Sequence, residues 1–349
     1  MSELALYRKY RPQSFREVLG QDHIVSVLEN EAKVGKISHA YLFSGSRGTG
    51  KTSIARIFAK SLDVRAEDVY EIDAASNRGI DEIRAIRDGV HTLPYSSKYK
   101  VYIVDEVHML TKEAWNAFLK TLEEPPAHCL FIMATTEPHK LPDTVVSRCE
   151  HFAFKKPSHT ALVQAITSVA KKENTKIEKS SVSLIATLAE GSFRDALSIL
   201  QKIIHSSKDS KLSEEEVIKV LGAPNSKLLL DILKAIEEGD TEKGLVAIRV
   251  ASEANVDMQV FLKLLLRDMR FVLLLRFAKD MKNFIQEELS EEDFASISEL
   301  AKSAKNINSK TLLRFLEAYS QTSYSTIPEL PLELAVIETS EKPHPRSLS

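Results

Sequence analysis

A parallel α/β sheet flanked by helices, followed by an all-helical half, is the fold class this sequence predicts, on three observations. Short runs rich in β-branched and aromatic residues recur at 40–44, 69–72, 101–104, 130–134 and 151–154, giving five candidate strands. Between them apolar residues repeat at three- and four-residue spacing, the helical period, so strands and helices alternate as in a parallel sheet. After Pro157 the strand signals fade, and helix-period segments follow one another to about residue 320.

The first strand runs into Gly45-Ser46-Arg47-Gly48-Thr49-Gly50-Lys51-Thr52-Ser53, and the helix after it is read from Ile54, Ile57, Phe58 and Leu62. That is the G-x-x-x-x-G-K-[ST] spacing of a P-loop, in the strand-before, helix-after context such a loop requires. The glycines let backbone amides turn toward phosphate oxygens, and the helix N-terminus adds positive potential. Lys51 is expected to reach the β- and γ-phosphates and Thr52 to ligate Mg2+, so the motif implies binding of a nucleoside triphosphate.

The third strand ends in Asp105 and Glu106, two acids where an apolar run gives no other reason for paired carboxylates. Asp105 is expected to hold the Mg2+ through water, and Glu106 to orient and polarise the attacking water of a phosphoryl transfer. Ala114, Trp115, Phe118, Leu119 and Leu122 mark the next helix, with Thr111 as its cap and Pro125-Pro126 ending it. Breaks near Gly191, Gly222 and Gly239 divide the helical half. The expected organisation is an α/β domain at 1–157, a small helical domain at 158–222, an all-helical domain at 223–340 and a polar tail at 341–349.

Composition bounds the partners. With 43% hydrophobic and 28% charged residues in 349, the chain is of the ordinary globular class. Lys+Arg 47 against Asp+Glu 49 gives a net charge of -2, so no bulk attraction pulls the molecule to nucleic acid or to an anionic membrane, and any DNA contact is a local patch. Cys129 and Cys149 lie in apolar, strand-like surroundings and read as structural thiols of a reducing cytoplasm. The start lacks a basic region followed by an apolar stretch, so secretion is not expected. The apolar segment 260–278 is interrupted by Lys263, Arg267, Asp268, Arg270 and Arg276 and is expected to be a buried helix rather than a membrane span. The ten histidines show no ligand spacing.

The P-loop and the acidic pair occur with Ile72-Asp73-Ala74-Ala75-Ser76-Asn77-Arg78-Gly79, Tyr7-Arg8-Lys9-Tyr10-Arg11-Pro12 and Val18-Leu19-Gly20-Gln21. Lys120-Thr121-Leu122-Glu123-Glu124-Pro125-Pro126 and Pro331-Leu332-Glu333-Leu334 follow. On these phrases the chain resembles, over nearly its whole length, the gamma/tau subunits of the bacterial DNA polymerase III clamp loader, which are AAA+ ATPases. The resemblance implies that 158–222 is a lid and 223–340 an oligomerisation collar. It makes Arg148, in Ser147-Arg148-Cys149, an arginine finger acting in trans on a neighbouring subunit, and Arg194, in the phrase from Gly191 to Asp195, a second sensor from the lid. Thr136 is similar in position to the first sensor, with Thr135 as the alternative, while Arg8, Arg11, Val18 and Leu19 resemble the segment closing over adenine and ribose.

The same resemblance implies ATP and Mg2+ as cofactors. Its partners would be delta, delta-prime and further gamma/tau copies in a hetero-oligomer, most simply a pentamer, with a sliding clamp and primer-template DNA as substrates. Members of the family commonly carry a four-cysteine zinc module after the P-loop helix; here only Asp63-Val64-Arg65-Ala66-Glu67-Asp68 lies there, without a thiol, and no zinc is expected. The chain looks like a short, gamma-like form. Two other readings share some of the motifs. A DNA-remodelling ring motor is disfavoured because 228–319 reads as continuous helices rather than a winged helix, and a non-catalytic scaffold is disfavoured by intact Lys51, Thr52, Asp105 and Glu106.

Overall fold

The structure is a computed structural model that describes residues 4–77, 79–207 and 211–340. The expected tail at 341–349 and Arg78 of the quoted phrase lie outside the described residues. Packing divides the chain into two compact units, Met1–Val169 with Ala189–Ile199, and Ala170–Leu188 with Leu200–Ser349.

The first unit is built on strands β1 (Ala40–Ser44), β2 (Val69–Asp73), β3 (Lys100–Asp105), β4 (Cys129–Thr135) and β5 (Glu150–Ala153). They form one sheet in the order β2-β3-β4-β1-β5, every pair parallel. The helices are α1 (Leu6–Lys9), α2 (Asp22–Val34), α3 (Lys51–Ser61), α4 (Ile80–Gly89), α5 (Lys112–Glu123) and α6 (Asp143–Val146), with α7 (His159–Lys172) leaving the sheet. Strands β1 and β4 are buried along their whole length, as central parallel strands covered on both faces must be. Their alternate residues feed two cores. Ala40, Leu42, Phe131 and Met133 meet Ile83 and Ile86 of α4 and Trp115 and Phe118 of α5 on one face. Tyr41, Phe43, Leu130 and Ile132 meet Ile24 and Leu28 of α2 and Ile54 and Phe58 of α3 on the other. Thr111 caps α5 by accepting from the Ala114 amide, and the helix stops at Glu123, before Pro125.

After α7 come α8 (Lys179–Leu188) and α9 (Phe193–Ser206), and two strands of two residues each, β6 (Lys176–Ile177) and β7 (Lys211–Leu212), pair in parallel. This short ladder corrects the expectation of a second half without strands; two residues are too few to print a period-two pattern. The second unit holds α10 (Glu214–Leu221), α11 (Ser226–Glu238), α12 (Thr241–Glu253), α13 (Met258–Phe277), α14 (Lys282–Glu288), α15 (Glu291–Ser303), α16 (Ser309–Thr322) and α17 (Leu330–Ser340), which reaches beyond the residue 320 read from the periodicity. Helix α13, the expected apolar helix, buries Phe261, Leu262, Leu265, Met269 and Phe271 at the centre of a core shared with α11, α15 and α16. No helix among the described residues is long and apolar enough to cross a membrane. Cys129 opens β4, but Cys149 lies in the turn before β5 rather than in a strand; both are free, and burial pushes their thiols up to about 11 and about 12.

The loop entering β3 hangs on one buried carboxylate. Asp68 has no exposed surface and accepts the amides of Tyr95, Ser96 and Ser97, the last two at 2.9 and 2.8 Å. Burial alone would raise its pKa; these amides outweigh burial and hold it at about 2 against the usual 3.8. Its stabilisation is therefore present above pH 3.8 and is lost as the pH falls toward 2. Asp68→Asn is expected to destabilise the first unit by about 1–3 kcal/mol at neutral pH, with the difference from the native chain shrinking below pH 4. Urea unfolding followed by the fluorescence of Trp115, the single tryptophan, checks both; an undiminished difference at pH 2–3 would contradict the assignment.

Candidate functional site

Between β1 and α3 the chain must reverse at close quarters, and two glycines carry the turn. Gly45 has φ +147°, and a Cβ there would stand 2.7 Å from the Phe154 carbonyl oxygen. Gly48 has φ +75°, and a Cβ there would meet the Ser192 hydroxyl at 2.0 Å. At that second point the loop is fastened to the start of α9, because the Phe193 amide donates to the Gly48 carbonyl at 3.0 Å. Inside the loop the Thr49 hydroxyl donates to the Ser46 carbonyl, and Lys51 Nζ donates to the carbonyls of Gly45 and Ser46 at 2.8 and 3.0 Å. Lys51 is 6% exposed. Burial pushes its ammonium below the usual value, and the charges of Glu106 and Asp105 pull it back. The Ser46 hydroxyl is buried with no partner. Arg47 is exposed on the loop, while Gly50, at φ +100°, starts α3, whose first turn carries Thr52 and Ser53. A buried cation, an orphaned hydroxyl and a helix N-terminus in one loop fit a phosphate chain.

Across the sheet edge, the Thr52 hydroxyl donates to Asp105 Oδ2 at 2.7 Å, and Asp105 Oδ1 accepts the Glu106 amide. A hydroxyl and one carboxylate, completed by phosphate oxygens and water, are the donors Mg2+ takes. Among the described residues no cluster of three or more His, Cys, Asp or Glu is poised for a metal. Glu106 adopts a left-handed backbone, φ 48°, in spite of its side chain. Its Oε2 accepts from the Thr136 hydroxyl at 3.0 Å and from the Thr136 amide at 3.3 Å. Thr136 is thus the threonine that meets Glu106, whereas Thr135 is fully buried and bonds His108 Nδ1 and the Glu137 amide.

The remaining expected residues fall in four places. Arg8 and Arg194 both stand over the ring of Tyr7, 5.7 and 4.8 Å from its centre. Hydrogen bonding to Arg8 pulls the Tyr7 phenol below its usual value against burial, and Arg194 adds to the pull. Arg11 is half-buried; burial lowers its pKa, and it feels Arg56, Glu71, Arg8 and Asp105. Val18 packs on the α2–α3 core and Leu19 is half-buried, while the neighbouring Gln21, wholly buried, clasps Lys155 through both its backbone groups. Arg148 is not brought to the P-loop of its own chain: it donates to the Thr144 carbonyl at 2.6 Å and to Glu123 at 2.8 Å. Sequence reasoning did not single out Tyr7, His108 or Ser192, whose roles come from contacts between distant segments, and it left Thr135 as the alternative to Thr136.

Three family models match the chain: "DNA polymerase III, delta subunit" at residues 20–71 and 63–158, "DNA polymerase III clamp loader subunit, ATPase lid domain" at 161–209, and "DNA polymerase III subunits gamma and tau domain III" at 212–346. The gamma subunit of DNA polymerase III from Buchnera aphidicola subsp. Schizaphis graminum is 36% identical, over 86% of this chain and 88% of the relative. The chain belongs to the DNA polymerase III gamma/tau family. The tau subunit of Bacillus subtilis is 38% identical over 99% of this gamma/tau chain, which spans 64% of that relative. For the Escherichia coli tau subunit the figures are 38%, 75% and 44%. Among solved structures, the RuvB Holliday junction branch migration motor of Thermotoga maritima matches with a TM-score of 0.53 at 22% identity, covering 65% of this chain and 79% of that one. At that identity the likeness is one of fold.

In this gamma/tau chain the Gly48–Ser192 approach makes a sharp prediction. Gly48→Ala meets backbone strain and a clash, whereas Gly50→Ala meets strain alone, with nothing within 4 Å of its Cβ. Gly48→Ala is expected to cost about 1–3 kcal/mol more than Gly50→Ala in Trp115-monitored unfolding, and Ser192→Gly to recover part of the difference. Equal costs for the two alanines would contradict the fastening.

Proposed function

We propose that this chain is the ATP-hydrolysing motor subunit of a bacterial sliding-clamp loader, acting in the cytoplasm to place a ring-shaped processivity clamp on primed DNA. The observation that carries the reading is the single edge where Lys51 and Thr52 of the P-loop face Asp105 and Glu106. Gly45, Ser46, Arg47, Gly48, Thr49, Gly50 and Ser53 would surround the triphosphate with amides and hydroxyls, and Arg8, Arg11, Val18 and Leu19 would line the adenine side. Thr52 and Asp105 would hold the Mg2+, which supplies charge neutralisation on the phosphates. Lys51 exchanges its loop carbonyls for phosphate oxygens, Glu106 orients the attacking water and accepts its proton, and Thr136 and Arg194 bond the oxygens of the departing phosphoryl group.

Arg148 acts on the neighbouring subunit. Its pairing with Glu123 leaves it 35% exposed, and an ion pair so exposed contributes about 0–1 kcal/mol, so transfer of the guanidinium to another chain costs little. The partners are other loader subunits, delta, delta-prime and further gamma/tau copies, in a pentameric ring with the clamp and primer-template DNA. DNA would be held through its phosphates, without sequence preference and with strong salt dependence.

Steady-state ATP hydrolysis tests the reading, with the chain alone and then with companion subunits, clamp and primed DNA. Turnover is expected to rise sharply only in the full mixture, to vanish in Lys51→Ala, and to fall about 10³- to 10⁵-fold in Arg148→Ala, the usual contribution of such a finger. Equal stimulation by forked DNA without a clamp would instead indicate a remodelling motor, and absence of turnover in every mixture would leave a nucleotide-binding scaffold.

A further inference from the structure

The imidazole of His108 lies between two carboxylates that belong to different strand ends, and the hydrolytic reading leaves it without a task. His108 sits on the 3-10 turn Val107–Met109, directly after Glu106, and its side chain is 6% exposed. Its Nε2 is 3.1 Å from Glu137 Oε2, so this nitrogen carries a proton for an acceptor that can only accept. Its Nδ1 is 3.0 Å from the Thr135 hydroxyl and 3.4 Å from Glu106 Oε2. Glu137 is itself fixed: its amide donates to Thr135, and Lys140 donates to its carboxylate, the bond that does most to hold its pKa below the usual range. The ring is thus clamped from the far side by Glu137 and buttresses the oxygen of Glu106 that Thr136 also holds.

We propose that His108 is a positioning residue for Glu106, the edge of the ring that carries Nδ1 backing the water-activating carboxylate. The inference rests on the hydrolytic role proposed for Glu106. A carboxylate at the end of a strand, with a left-handed backbone and two free side-chain torsions beyond its Cβ, has no reason of its own to favour one orientation. Thr136 supplies two donors to Oε2, and the buried ring, whose Nδ1 is 3.4 Å from the same oxygen, fills the space beside it and limits where the carboxylate can turn. Misplacement of a reacting group by about 1 Å can cost on the order of a hundredfold in rate.

The two ring nitrogens have different partners, and two amide variants separate them. The carboxamide of His108→Asn reaches where Nδ1 stands, beside Thr135 and Glu106, and that of His108→Gln reaches toward Nε2 and Glu137. In the full assembly with clamp and primed DNA, His108→Ala and His108→Gln are expected to lower kcat about ten- to a hundredfold with KM unchanged, while His108→Asn stays within about threefold of the native chain. ATP affinity, measured by equilibrium titration, is expected to stay within about twofold in all three. The second readout needs no nucleotide: hydrogen exchange at the Thr136 amide, which donates to Glu106, is expected to quicken in the Ala and Gln variants and not in Asn. Native rates and native exchange in His108→Gln would overturn the proposal. So would equal losses in Asn, Gln and Ala accompanied by lower ATP affinity or lower unfolding midpoints, which would make His108 a packing residue. If the native chain does not hydrolyse ATP and behaves as Lys51→Ala does, the hydrolytic reading fails instead, and the exchange measurement still decides whether His108 holds Glu106.

Discussion

Parallel register is the constraint on which the rest of this structure depends. Ser44 pairs with Thr135, Asp73 with Asp105 and Val104 with Met133, so β1, β3 and β4 all present their carboxyl ends at one edge. Parallel strands need crossover helices, and the helices on both faces leave the strand ends as the place where polar groups can gather without crossing the core. The P-loop follows β1, the acidic pair spans the end of β3 and Thr136 follows β4. Their proximity is a property of the sheet, and their chemistry is a property of which residues stand at its rim.

At that rim the polar groups bond to one another. Lys51 bonds its own loop, Thr52 bonds Asp105, and Thr136 bonds Glu106. A ligand entering here exchanges one set of hydrogen bonds for another, and a neutral exchange of this kind is worth only about 0.5–1.5 kcal/mol per bond. The larger gain comes from charge, since Lys51 is buried with its ammonium pushed down by desolvation and is relieved by any anion that reaches it. The Gly48 carbonyl, meanwhile, ties the loop to the helix carrying Arg194, so a shift in the loop is felt at once by the first turn of α9.

Much of this was legible in the amino-acid sequence, for reasons that differ by element. The five strands are short runs rich in β-branched and aromatic residues, buried in β1, β3 and β4, and the P-loop is a contiguous pattern whose glycines answer to positive φ at Gly45, Gly48 and Gly50, so both print directly on the chain. Thr111 was readable because a cap and its helix are adjacent. The contact of Ser192 with Gly48, the stacking of Arg194 on Tyr7 and the bridge from Glu106 through His108 to Glu137 join segments far apart or hinge on side-chain direction, and no periodicity records them. The choice between Thr135 and Thr136 was open for the same reason: adjacent residues at a strand end point to opposite faces, and only the register decides which one meets Glu106. The β6–β7 ladder prints no alternation because it is two residues long.

The fold alone is shared with a branch migration motor at 22% identity, so what distinguishes this chain lies in its motifs and in the relatives that match it across most of its length. The claim at the centre is that the loop after β1 and the acids after β3 form one nucleotide-Mg2+ site. Calorimetric titration of ATP into the full chain, with Mg2+ and then with a chelator, tests it most directly. A single site whose affinity drops on chelation, with that drop abolished in Asp105→Asn, is the expected result. No heat of binding, or an affinity indifferent to Mg2+ in the native chain, would contradict it.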